Sequence, residues 1–333
     1  MSKCRSCGGP AVIDLPRHNA NFCSEHLVQL CLRQMERAIS DFSMLTRDDR
    51  ILVAVSGGKD SLALWDMLTM AGYRADGLYV GLGIGDYSDE SGRLVRGFAA
   101  ERDLRILEVD LRADHGFDIP TAASASRRTP CSACGLSKRH EFDRVAREGG
   151  YDVLATGHNL DDEAAVLFGN ALRWDVDYLR RQFPVLAAGH GFGRKVKPLV
   201  RLTEREMAAW CVVRGIDYVV EECPMAVGNR HIAYKEALNA IEEQSPGSKA
   251  SFLLGFLERM APVLMAGAET TAPVPCPSCG SPANSETEPC AFCRLAGVAS
   301  AHDPVPVRMV LSRAARRAYD EQWGGTPMEG SRT

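Results

Sequence analysis

Residues Ile51 to Met67 read ILVAVSGGKDSLALWDM, and this stretch decides the fold. Ile51 to Val55 are apolar and mostly β-branched, the composition of a strand buried on both faces. Ser56-Gly57-Gly58-Lys59-Asp60-Ser61 then spells a tight turn, after which Leu62, Leu64, Trp65 and Leu68 fall at helical spacing. Strand, glycine turn and helix in that order gather free backbone N–H groups and the positive end of a helix dipole at one point, which is a site for an anion. Ser56 and Ser61 add hydroxyls, Lys59 adds a cation, and Gly57 and Gly58 let the backbone approach phosphate oxygens with no Cβ between. The turn is not a Walker A loop, because Val53 stands where its first glycine belongs and Asp60 follows the lysine.

Outward from this stretch, strand and helix patterns alternate. Ile51–Val55, Gly77–Leu82, Arg105–Leu111, Tyr151–Thr156 and Ile216–Glu221 read as strands, with helical stretches at 61–71, 90–103, 136–148, 161–173 and 203–214. A linking helix is expected over 31–46, and helix again over 230–262 with a break at Ser-Pro-Gly. Such alternation predicts an α/β fold, a doubly wound parallel sheet with ligands at the carboxyl ends of the strands. The glycine turn lies at such an end, and so does Thr156-Gly157-His158-Asn159-Leu160-Asp161-Asp162-Glu163. Two motifs at one edge of one sheet define the expected active site. An acidic run at a helix start also favours the dipole on its own account.

The 333 residues allow one good-sized domain with attachments, and a net charge of −4 gives no global basic field for nucleic acid. MSKCRSCGGP contains no apolar signal region and no apolar run could span a bilayer, so a cytoplasmic protein without a membrane partner is expected. In a reducing compartment the 12 cysteines point to metal or catalysis rather than disulfides. Cys4, Cys7, Cys23 and His26 form a Cys3His set in a module over residues 1–30, too small to fold on core burial alone. Cys276, Cys279, Cys290 and Cys293 form a four-cysteine ribbon over 276–293, so two Zn2+ ions are expected. Between these modules, residues 31–265 hold the α/β domain, and 265–275 read as a linker. The tail, 294–333, carries a basic helical stretch from Arg308 to Tyr319 with Arg313, Arg316 and Arg317, and ends in residues typical of disorder. Cys31 and Cys211 read as small buried apolar residues.

Three cysteines remain. Cys131-Ser-Ala-Cys134 precedes a helix, and Cys223 follows a strand in Glu-Cys-Pro, so the three can converge near the glycine turn. A redox pair, a persulfide relay and an iron–sulfur cluster on three thiolates all fit. A cluster so held leaves one iron without a protein ligand, free to take an exogenous sulfide.

SGGKDS is similar to the PP-loop signature of N-type ATP pyrophosphatases, which split ATP between the α and β phosphates. Together with TPCSACGLSKR, ATGHNLDDEA, the Glu-Cys-Pro around Cys223 and two flanking zinc modules, it resembles the tRNA 2-thiouridine synthetases of the TtuA type over about residues 1–293. The resemblance also runs through LFGNALRW, KVKPLVRLTERE and SPGSK. It implies a Rossmann-like PP-loop domain flanked by N- and C-terminal zinc ribbons. It implies ATP on Ser56, Gly57, Gly58, Lys59, Asp60 and Ser61, with Gly157 and His158 beside it. It further implies adenylation of a uracil C2 oxygen in tRNA, release of pyrophosphate, and sulfur attack at C2 with loss of AMP. A [4Fe–4S] cluster would sit on Cys131, Cys134 and Cys223, and Lys138 with one or both of Asp161 and Asp162 would be active-site residues. The sulfur would come from a ubiquitin-like carrier ending in a thiocarboxylate. Lys59 and Mg2+, the latter held by Asp60, Asp161 or Asp162, would neutralise the pyrophosphate. Met225 stands where the family often has an aromatic residue. The related TtcA type thiolates a tRNA cytidine, and the paired zinc modules argue against it.

Other readings differ in discriminating features. An amide-forming ligase of the same superfamily needs no thiolate trio. A non-catalytic zinc-ribbon RNA-binding protein needs no intact SGGKDS. A persulfide-using sulfurtransferase acting on another tRNA base or on a small acceptor keeps the same motifs. Arg173, Arg180, Arg181, Arg194, Lys195 and Lys197 are expected to offer tRNA a basic surface, and the paired zinc modules could equally serve a homodimer interface.

Overall fold

The computed structural model describes residues 2–189, 193–226, 230–266 and 273–307. In chain order the elements are β1 (Ile13–Leu15), a 3-10 turn, β2 (Ala20–Phe22), α1 (Ser24–Asp41), β3 (Ile51–Val55), α2 (Lys59–Met70), β4 (Ala75–Gly81), α3 (Gly85–Glu101) and β5 (Ile106–Asp110). Then come α4 (Leu111–His115), α5 (Ile119–Ala125), α6 (Pro130–Glu148), β6 (Val153–Thr156), α7 (Leu160–Leu172), α8 (Val176–Arg180), β7 (Val185–Leu186), β8 (Arg194–Val196) and α9 (Glu204–Arg214). The last are α10 (Arg230–Gln244), α11 (Ser248–Arg259), α12 (Ala261–Met265), β9 (Val274–Pro275), β10 (Pro282–Ala283) and α13 (Ala291–Ala299). No helix among the described residues is long and apolar enough to cross a membrane.

The central sheet has the order β5-β4-β3-β6-β8-β7. It is parallel except for β7, which pairs antiparallel with β8 at the edge. The chain winds outward from β3 to β5, then returns to lay β6 on the other side of β3, which makes the β3/β6 junction the topological switch point where ligands bind. Residues of β3 and β6 alternate between two cores. Ile51, Val53, Val55, Val153 and Ala155 face α1, α2, α7, α9 and α11. Leu52 and Leu154 face α5, α6 and α13. Burial on both faces is what the unbroken apolar run of β3 requires.

Two differences from the sequence expectation bear on the site. Ile216–Glu221 is not a strand; the parallel neighbour of β6 is β8 instead. Gly215 ends α9 in the left-handed conformation, φ 63°, and the following segment crosses over the glycine turn, where the Val219 N–H donates to Gly57 O at 2.9 Å. Its apolar residues suit a strand, but its backbone partner is a turn. Strand β8 is only Arg-Lys-Val, too short and too basic to be read from pattern. Second, the linking helix does not start at 31 but at Ser24, inside the first cysteine set, so His26 lies in its first turn. The break at Ser-Pro-Gly separates α10 from α11 as expected. Of the linker, 267–272 lie outside the described residues, as do 308–333 with the basic stretch Arg308–Tyr319.

Two buried carboxylates fasten helices together. Asp66, 1% exposed on α2, accepts from Arg102 Nε at 3.0 Å, Trp210 Nε1 at 3.0 Å and Arg214 Nε at 2.9 Å, joining α2 to α3 and α9. Glu206, fully buried on α9, accepts from Arg17 at 2.7 Å and His18 at 2.9 Å and ties the N-terminal module to the sheet domain. Burial alone would raise the Glu206 pKa, but His18 and Arg17 outweigh it and hold the carboxyl below the usual range.

Asp66→Ala leaves the Trp210 N–H buried without an acceptor and takes a carboxylate from both Arg102 and Arg214, and is expected to cost about 3 kcal/mol in urea unfolding. For Glu206 the depressed carboxyl stabilises the folded state above the ordinary glutamate pKa of about 4.3. That stabilisation is lost as pH falls through the folded value. The gap in melting temperature between wild type and Glu206→Gln should therefore be full at pH 7 and begin to narrow only as pH falls through about 4 toward the depressed folded value. A gap independent of pH would contradict this origin.

Candidate active site

The turn after β3 is built by its own hydroxyls. The Ser56 N–H donates to Ser61 Oγ at 3.1 Å, and that hydroxyl donates to Gly58 O at 2.9 Å. Gly57 has φ +79°, and a Cβ there would meet Ser91 O at 2.9 Å. Gly58 is the N-cap of α2, so Lys59, Asp60 and Ser61 form the first helical turn with their N–H groups at the carboxyl edge of the sheet.

The second motif approaches from β6. A Cβ on Gly157 would stand 2.9 Å from both the Asp60 carbonyl carbon and the Ser61 nitrogen, so only glycine lets the two turns touch. Asn159, fully buried, caps α7 and donates through Nδ2 to Asp60 Oδ1 at 2.9 Å. Asp162 completes the capping box through its Oδ2. His158 is exposed and its Nδ1 lies 2.9 Å from Thr156 Oγ1.

A charge network ties these residues to two that sequence reasoning passed over. Lys59 pairs with Asp60 at 3.2 Å and with Glu204 Oε1 at 3.1 Å. Lys235 pairs with Asp162 at 2.7 Å and with the same Glu204 oxygen at 3.0 Å. Burial opposes the charge on Lys59, but Asp60 and Glu204 raise its pKa above the ordinary lysine value. Burial also opposes the charges on Asp162 and Glu204; Lys235 outweighs it for Asp162, and Lys235 with Lys59 for Glu204, so both lie low. Asp60 is the exception, raised by burial with Asp162 nearby. Asp161 turns away, held by Lys249 and by the Glu204 N–H at 2.9 Å. Glu204 opens α9 at the sheet's carboxyl edge, a position legible only once the helix starts are known; nothing in the spacing singles out Lys235.

The three cysteines come together beside this turn. Cys131 and Cys134 lie in the first turn of α6 rather than before it, capped by Thr129 with Pro130 at the first position. Cys131 Sγ lies 3.8 Å from Met225 O, and Cys223 opens a turn closed by the Ala226 N–H. Met225 is 3% exposed and fills the core in which α13 also packs. Burial raises the Cys131 and Cys223 pKa values, and the neighbouring thiols raise them further. Ser56, Tyr87, Lys138 and Phe142 line a cavity beside the turn. Lys138 makes no hydrogen bond or ion pair with the described residues, and Tyr87, pushed up by burial and then by Cys223 and Cys134, was not foreseen from sequence.

Cys4, Cys7, Cys23 and His26 bring their ligand atoms within 4.8 Å of one another, and so do Cys276, Cys279, Cys290 and Cys293. Burial opposes ionisation of Cys4, but the N–H groups of Cys23, Cys7 and Ser6 bring its pKa down to about 6. N–H groups of Cys290, Ser278 and Cys279 do the same for Cys276, also to about 6. Both sets thus offer thiolates to a metal. Cys131, Cys134 and Cys223 lie near enough that the first two act on the third electrostatically. Of the basic surface expected for tRNA, Arg194, Lys195 and Lys197 are instead ion-paired with Asp49, Asp143 and Glu163 at 2.9, 2.8 and 2.7 Å. Arg180 pairs with Asp177 at 3.5 Å, and Arg173 donates to Asn170.

The fold and the glycine turn define a PP-loop nucleotide-binding domain. Residues 31–235 match the PP-loop domain family, and residues 3–28 match the N-terminal LIM domain of the 2-thiouridine synthetase TtuA. The chain is 49% identical over 292 residues to the tRNA-5-methyluridine(54) 2-sulfurtransferase of Thermus thermophilus, covering 88% of this chain and 90% of that one. The enzyme of the same name from Pyrococcus horikoshii is 37% identical, with 89% of this chain and 94% of that one covered. Among solved structures, the U34-tRNA thiolase NcsA from Methanococcus maripaludis with its [4Fe-4S] cluster has the same fold, at a TM-score of 0.73 and 24% identity over 89% of this chain and 96% of that one. The chain belongs to the TtuA-type family of PP-loop sulfurtransferases.

Gly157→Ala forces the two turns apart. It is expected to weaken ATP binding at least tenfold, about 1.4 kcal/mol in calorimetry, with the melting temperature lowered far less than by Asp66→Ala. Unchanged ATP affinity would show that the close approach serves packing alone.

Proposed function

We propose that this protein carries out ATP-dependent 2-thiolation of a tRNA uridine, with the 5-methyluridine at position 54, for which its 49%-identical relative is named, as the acceptor. The observation that carries the reading is the shared cavity: Ser56 of the phosphate turn and Lys138 of the cysteine-bearing helix line one space at the switch point of the sheet.

The N–H groups of Lys59, Asp60 and Ser61, the Ser56 and Ser61 hydroxyls and the Lys59 ammonium bind the pyrophosphate portion of ATP. Asp60 and Asp162, both beside the turn, are the carboxylates suited to hold a Mg2+ ion, which would supply positive charge against the phosphates. Asp161 faces Lys249 and the Glu204 N–H instead of the turn. The uracil C2 oxygen attacks Pα, the bond from Pα to the bridging oxygen breaks, and its electron pair leaves with pyrophosphate. The N3 proton passes to solvent. A sulfide-level sulfur then attacks C2, the C2–O bond breaks with its pair on AMP, and the exchange is redox-neutral. Lys138, half-buried and without a counter-ion among the described residues, neutralises the adenylate phosphate. A persulfide donor would instead require two electrons from a second thiol, which the pair Cys131 and Cys134 could supply by forming a disulfide.

Cys131, Cys134 and Cys223 fit a [4Fe–4S] cluster, because they are three thiols that converge, each of the first two acting on Cys223. Such a cluster would supply an iron without a protein ligand, open to an exogenous sulfur ligand. Two Zn2+ ions on the terminal sets are structural. The sulfur donor is a carrier with a C-terminal thiocarboxylate.

Anaerobic purification with iron, acid-labile sulfide and zinc quantified, beside Cys223→Ala, tests the reading. About four irons and two zincs per chain are expected, with the iron lost and the zinc kept in the variant. AMP formation should require uridine-bearing tRNA. Zinc without iron would overturn the cluster, and AMP formation indifferent to tRNA would overturn the acceptor.

A further inference from the structure

Lys235 lies on α10, beyond the last strand of the sheet and outside both sequence motifs, yet its ammonium group meets that of Lys59 at a single atom. Glu204 Oε1 lies 3.1 Å from Lys59 Nζ and 3.0 Å from Lys235 Nζ. Each lysine has one more carboxylate, Asp60 for the first and Asp162 for the second, at 3.2 and 2.7 Å. The two lysine side chains are about equally exposed, 24% and 25%, so both heads border solvent at the edge of the phosphate turn. Two cations converging on one oxygen repel each other unless an anion stands between them. Glu204 is that anion in the resting protein. It is itself 33% exposed, at the first position of α9.

On the reading proposed above, we infer that Lys235 is a second cation of the pyrophosphate subsite, and that the Glu204 carboxylate holds the place of the leaving group until ATP arrives. The chemistry favours the exchange. When Pα parts from the bridging oxygen, the electron pair stays on pyrophosphate, so negative charge grows on the group that Lys59 and Lys235 would face. A lysine on each side neutralises that charge where it develops. A polyanion offers the two ammonium groups several oxygens, where Glu204 offers one. After pyrophosphate departs, Glu204 takes both lysines back. Lys235 thereby joins the helix that follows the third cysteine to the phosphate turn, and Asp162, which caps α7, fixes its position from the other side.

The alternative is a purely structural bridge between α7, α9 and α10, which would move stability but no subsite. Product inhibition separates the two. In wild type, Lys235→Met and Lys235→Arg, AMP formation is measured with pyrophosphate and, separately, AMP as inhibitors, alongside iron content and melting temperature. In Lys235→Met the inhibition constant for pyrophosphate is expected to rise at least tenfold, with that for AMP unchanged and the iron retained. Lys235→Arg should restore it to within about threefold of wild type, since the charge is kept. A smaller rise in the methionine variant, or equal weakening of AMP, overturns the assignment. Should the methionine variant fail to fold, Lys235→Gln is judged by the same criteria. Calorimetry of inorganic pyrophosphate on the resting protein needs no turnover. If wild type forms no AMP, the proposed reaction fails, while the calorimetric comparison still decides on Lys235.

Discussion

The molecule rests on the parallel pairing of β3 with β6, in the register Ile51 with Val153 through Ala54 with Thr156. Two parallel strands side by side end at the same edge, so the turns that follow them leave the sheet together. From this constraint come the contact of Gly157 with Asp60 and Ser61, the bond from Asn159 to Asp60, and the presence of Asp162 beside the phosphate turn. The alternating residues of the two strands feed one core on each face. The helices that carry functional groups are held by those cores, with α2, α7 and α9 on one side and α6 on the other.

Electrostatics in this chain divides into two kinds. Asp66 and Glu206 are buried, fully satisfied and remote from the phosphate turn; they fix helices and the N-terminal module. Asp60, Asp162, Glu204, Lys59 and Lys235 are half-exposed and share partners, so each has an alternative within reach. The first arrangement resists change because removing one member strands the others out of water. The second can exchange partners with a ligand at small cost, which suits a site that must admit and release polyphosphate.

Much of this was legible in the chain. Ile51 to Met67 carries its own strand, turn and helix, and the two terminal metal sets announce themselves by cysteine spacing. Local pattern sufficed there, because each feature is closed within a few residues or is fixed by ligand chemistry. The parts that escaped depend on distant partners. Ile216–Glu221 has the composition of a strand, but its backbone meets Gly57 rather than a sheet edge. Arg194, Lys195 and Lys197 read as a basic surface, and their ion pairs with acids on other elements could not be seen from local pattern. Glu204 and Lys235 carry no motif at all; they matter because α9 and α10 begin where the strands end. Asp161 and Asp162 are adjacent in sequence, but successive helical residues point 100° apart, and so they serve different neighbours.

The order of parts along the chain has a consequence for how the protein comes into being. Every strand of the six-stranded sheet lies before residue 197, whereas Glu204, Cys223 and Lys235 all lie after it. During synthesis the ribosome therefore delivers the scaffold and the phosphate turn first, and the second lysine and third thiol later. A nascent chain owns a complete sheet before it owns a complete centre, so reactive sulfur and bound nucleotide meet only on a frame already able to orient them.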